Sequence, residues 1–131
     1  MALTLSEAQR ILQGAQASAE ALGVKVSVCV VDPQGIPVAL ARMDGARFFS
    51  GDVARGKAMV SAFFSRPSAA FAENWNSPFF TAFNQMNGGR LIFVQGALPI
   101  SKEGEHVGAV GVSGGSAQQD EDIAKAGIDS L

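Results

Sequence analysis

The chain has 131 residues and a mass of 13.5 kDa, the size of one domain over residues 1–131, with no apolar stretch as long as the about 18 residues of a membrane-spanning helix. Its 47% hydrophobic and 17% charged residues, the latter below the roughly 25% of typical soluble domains, and its mean hydropathy of +0.19 exclude a disordered chain. Ten Lys+Arg against twelve Asp+Glu give a formal net charge of -2 without any run of like charge, which leaves no electrostatic footprint for nucleic acid.

In chain order, Thr4 and Glu7 form a T-x-x-E capping box ahead of the apolar stripe Ala8, Ile11, Leu12, Ala15, Ala19 and Leu22, which predicts a first helix ended by Gly23. The β-branched run Val24 to Asp32, the turn Pro33-Gln34-Gly35 and the segment Ile36 to Met43 predict a hairpin, closed by Asp44-Gly45-Ala46. A second helix is expected from about Ser50 to Phe64, because Pro67 prevents its continuation. Ser68 to Glu73 reads as helical, and Pro78 suits the first turn of another short helix. After the break Asn87-Gly88-Gly89, strands are expected at Arg90 to Gln95, Ala97 to Ser101 and His106 to Ser113. Ser116 and Gln119 then cap a last helix over Ala117 to Ala126. This order predicts an α+β domain whose antiparallel sheet is flanked by helices.

Five segments carry a family resemblance in their order along the chain: Val30-Val31-Asp32 with Gly35; Arg42 to Ala46; Ala54 to Ala58; Leu98-Pro99-Ile100; and Val107 to Gly115 with Asp120-Glu121. The chain is similar to the GlcG/HbpS family of small haem-binding-like domains, which also resembles the C-terminal domain of PduO-type proteins. The resemblance implies a profilin-like, three-layer fold, assembly into dimers or higher oligomers and, in some members, binding of haem or a corrinoid. Two positions depart from the family. Gly96-Ala97 stands where a Gly-Gly pair usually precedes Pro-Ile, and the histidine that ligates haem near the N-terminus of PduO-type relatives has no counterpart here. Haem ligation would then fall to Met43, Met59, Met86, Cys29 or a hydroxyl.

The candidate site residues cluster in the middle of the sequence, where all the aromatics except Phe93 fall between Phe48 and Phe83. Phe63, Phe71 and Trp75 suit either a pocket for a flat ligand or a core or subunit interface. Arg42, Arg55 and Lys57, interleaved with them, suit an anionic group, or else pair with neighbouring carboxylates, as Arg42 would with Asp44 or Asp52. If the protein is instead an enzyme of organic-acid or aromatic-acid catabolism, Asp44 and Glu73 are the candidates for proton transfer. His106, in a polar strand start, is expected at the surface, and no metal-ligand spacing is present. Cys29, the lone cysteine, reads as a buried hydrophobe. Together with a start that does not resemble a leader, it makes the cytoplasm the expected compartment. The apolar excess further predicts a homodimer or higher homo-oligomer that binds a small molecule.

Overall fold

The computed structural model describes residues 2–131. Its elements run α1 (Leu5–Leu22), β1 (Ser27–Val31), β2 (Pro37–Arg42), α2 (Ser50–Phe64), a short 3-10 turn (Ser68–Phe71), α3 (Pro78–Met86), β3 (Ala97–Lys102), β4 (Glu105–Ser113) and α4 (Ala117–Asp129). The sheet has the order β2-β1-β4-β3 and every pairing is antiparallel. The α+β class and the antiparallel sheet flanked by helices are as the sequence predicts.

Alternation along the two central strands explains the layering, since successive side chains of a strand point to opposite faces. Val28 and Val30 of β1, with Val110 and Val112 of β4, join Ile11, Ala15 and Ala19 of α1 and Ile123 and Ala124 of α4 in one core. Cys29, Val31 and Ala109 turn the other way and meet Ala54, Ala58 and Ala62 of α2. Every residue of β1 is buried, because helices cover both faces of its part of the sheet.

The ends of the elements are fixed by local chemistry. Gly23 takes the left-handed conformation (φ 73°) that closes α1. In the hairpin turn, Asp32 Oδ1 accepts the N–H groups of Gln34 and Ile36 at 2.9 and 3.0 Å. Ser116 caps α4, accepting from Gln119 N–H at 3.1 Å.

Two expectations are corrected. Residues 90–95 do not form a strand; among the described residues the β3 edge of the sheet has no further partner. The segment's backbone is satisfied elsewhere: Leu91 N–H donates to Asn84 Oδ1 at 2.9 Å, Ile92 N–H to the Gly56 carbonyl at 3.3 Å, and the Val94 carbonyl accepts from Ser68 Oγ at 2.7 Å. His106 is not a surface residue. Its half-buried ring places Nε2 2.8 Å from the Ala62 carbonyl near the end of α2, while Nδ1 is buried without a partner.

At the N-terminus of α1, Glu7 links the capping box to the sheet. It accepts from Thr4 N–H at 2.9 Å and from Lys102 Nζ of β3 at 2.9 Å. The Thr4 N–H and then the Lys102 ammonium hold its carboxyl down at about 2, below the ordinary 4.5. A carboxyl depressed in the folded state stabilises the fold above its ordinary range, and that contribution fades as pH falls toward the lower value. Chemical denaturation from pH 7 to pH 2 should therefore show Glu7→Gln losing stability at neutral pH and converging on the parent in acid; parallel curves would assign Glu7 no such role.

Candidate functional site

The face of α2 turned to the sheet is built from alanine and glycine, which lets the helix backbone come close. A Cβ at Gly111 of β4 would collide with the Ala54 carbonyl and lie 2.8 Å from Ala58 N. A Cβ at Gly56 would run into the Arg90 carbonyl and Ile92. This close seating carries Lys57 into the interior, where it is 3% exposed. Lys57 Nζ donates to the Val112 carbonyl at 2.9 Å and to Asp120 Oδ2 at 3.0 Å. Asp120, also 3% exposed, takes the Gly115 N–H on its other oxygen at 2.8 Å. Gly96 makes room for the ammonium, since a Cβ there would sit 2.8 Å from Lys57 Nζ on a backbone with φ +139°. Buried charge is tolerated here because it is paired and hydrogen-bonded on both sides.

Segment 90–95 walls three cavities. The first, of about 630 Å³, runs beside Trp75, Asn84, Leu91, Phe93 and Gln95 and is mainly apolar. The second, of about 380 Å³, holds Arg55 and Arg90 with Asp52, Phe49 and Gly56. The third, of about 400 Å³, opens on Lys57, Asp120, Arg47 and Ser113. Ile92 lines all of them, so they form adjacent chambers around one side chain. Neither Arg55 nor Arg90 has an ion pair among the described residues, and Arg55 Nε is buried without a hydrogen-bond partner. Such an orphaned donor costs about 1–3 kcal/mol until an acceptor reaches it.

The residues singled out from sequence are spread over separate places. Trp75, 60% exposed, lines the first cavity, Arg55 the second and Lys57 the third. Arg42 and Asp44 share a separate cleft with Glu20 and Lys25, with no ion pair between Arg42 and either Asp44 or Asp52. Glu73 lies exposed in the turn after the 3-10 segment, lining none of these cavities. Phe71 is buried with Met59, Val60, Leu91 and Phe93, and Phe63 packs against that cluster edge-on to Phe83 at 5.9 Å. Of the three aromatics expected at the site, Phe63, Phe71 and Trp75, only Trp75 thus lines one of these cavities. Arg90 and Ile92 escaped the sequence reading, which allowed Lys57 a carboxylate partner without identifying Asp120. A lysine within an alanine- and glycine-rich helix was the signal for a buried carboxylate partner.

Among the described residues no group of His, Cys, Asp and Glu is placed to hold a metal ion. Burial pushes the Cys29 thiol up to about 12 against the pull of Arg55, so it stays protonated at neutral pH. Thiol-specific reagents should leave the native protein unmodified and label Cys29 only after denaturation; rapid native labelling would show the α2 face opening. Removing one partner of the buried pair strands the other charge, so Asp120→Ala should lose about 3–5 kcal/mol in denaturant unfolding. The double variant Lys57→Met with Asp120→Leu should recover most of that loss, and additive losses would show the two groups act separately.

Residues 3–129 match the family described as "Haem degrading protein HbpS-like". Protein GlcG of Escherichia coli K12 is 32% identical over 119 residues, covering 85% of this chain and 81% of GlcG. A solved double mutant of HbpS from Streptomyces reticuli is 31% identical with a TM-score of 0.86, covering all of this chain and 88% of that one. A solved complex of PduOC with haem is 26% identical with a TM-score of 0.87, covering all of this chain and 96% of that one. With a family match over almost its whole length and the same three-layer fold in solved relatives, the chain belongs to the HbpS-like family.

Proposed function

We propose that this protein binds a planar, largely apolar small molecule that carries anionic groups, with a porphyrin such as haem as the leading ligand class. The observation that carries this reading is the orphaned, buried Arg55 Nε beside the unpaired Arg90, one side chain away from an apolar groove walled by Trp75, Leu91 and Phe93. The groove suits the flat ring system, because aromatic faces stack on planar π-systems. The guanidinium groups suit carboxylates, which they receive in bidentate fashion. A family described as haem-degrading and a relative solved with haem support the same class.

The iron is a separate matter: Met43 lies in the cleft with Arg42, Met86 lines none of the three cavities, and of the ligands the sequence offers only a hydroxyl, that of Ser113, reaches one of them. No His, Cys or Met lines the cavities around Ile92. Cys29 is buried as a thiol under α2, Met59 lies in the aromatic core, and the His106 Nε2 is engaged by the Ala62 carbonyl. Recognition in this reading comes from the organic frame and its carboxylates, and no chemistry is assigned to the metal.

That division is testable. Haemin and metal-free protoporphyrin should each quench the fluorescence of Trp75, the chain's single tryptophan, saturably and with affinities within a few fold of each other. Arg55→Met should weaken both roughly tenfold, or about 1.4 kcal/mol. Absence of saturable quenching would overturn the ligand class, and haemin binding without protoporphyrin binding would show that the iron is ligated after all.

A further inference from the structure

The cavity at the buried ion pair is not accounted for by a planar ligand on Trp75. Its charged lining consists of Lys57, Arg47 and Asp120, so a single positive charge is left after pairing. Both oxygens of Asp120 are engaged, by Lys57 and by the Gly115 N–H. An ammonium carries three N–H donors, and the structure engages only two of those on Lys57, through Val112 and Asp120. Ser113 lines the same cavity with a hydroxyl that makes no hydrogen bond to the described residues, and the Arg47 guanidinium has no ion pair among them. The remaining walls, among them Phe49, Val53 and Ile92, are apolar.

We propose that this cavity is a second binding site, specific for a small monocarboxylic acid with a compact apolar body. Its carboxylate is received by the free N–H of Lys57, the Ser113 hydroxyl and the Arg47 guanidinium, and its body lies against Phe49, Val53 and Ile92. The net positive charge selects a monoanion over a neutral isostere or a dianion, because a second carboxylate would meet Asp120 without a cation to balance it. Lys57 is suited to such a role by being fixed in place: its partners hold the ammonium in one position before any ligand arrives, so little side-chain freedom is lost on binding. The site includes neither Trp75 nor Arg55, so it stands or falls apart from the porphyrin reading.

Sodium benzoate is a suitable probe, with benzamide as the neutral isostere, on the full chain labelled with ¹⁵N. Benzoate should shift the amide signals of Ser113, Gly114 and Gly115 saturably, and benzamide should shift them at least tenfold more weakly. Arg47 is exposed, so Arg47→Met spares the fold; it should raise the benzoate dissociation constant at least tenfold, and Ser113→Ala should raise it several-fold. Arg10→Met, on the exposed side of α1, should leave it unchanged. The proposal is overturned by non-saturating shifts, by equal binding of benzamide, or by an unchanged constant in Arg47→Met.

Discussion

The close seating of α2 on the sheet is the constraint from which the rest of the molecule follows. The helix side of this contact is alanine, and at Gly111 of the sheet even a methyl group would strike the Ala54 carbonyl. Because the backbones approach so nearly, the long side chain of Lys57 is almost wholly buried, and its ammonium takes its partner inside. Asp120 supplies it from the first turn of α4, where the helix dipole already favours negative charge. One close contact thus fixes the relative positions of α2, the end of β4 and the start of α4, and these bound the cavity at Lys57.

Much of the architecture was legible because it is written in local signals. Both capping boxes, the left-handed Gly23 and the Asp32 turn occur where the residue types call for them. The segment after Asn87-Gly88-Gly89 was not legible. Leu91-Ile92-Phe93-Val94 has the composition of a strand, but strand propensity reports fitness for a half-buried surface as much as for a ladder. Here that surface is offered by α2 and α3: Gly56 and the side chain of Asn84 take over the hydrogen bonds that a neighbouring strand would have made.

The site was legible only in part, for a related reason. The sequence shows which cations are scarce and where aromatics gather, yet it does not show which aromatic rings consume one another. Phe64 meets Phe71, Phe80 and Phe83, and Phe71 meets Phe80, with centroids 4.9 to 5.7 Å apart, so much of the cluster is spent on its own packing. Trp75 and Phe48 stay outside this packing, 60% and 84% exposed. The pairing of Lys57 with Asp120 spans 63 positions of sequence, a separation at which periodicity and spacing carry no information.

Segment 90–95 is held by a handful of unlike bonds, to a helix carbonyl, an asparagine and a serine, instead of by a regular ladder. Ile92 within it is the partition between three chambers. Because the three chambers share that one side chain, a change of shape at Ile92 remodels a wall of each of them at once.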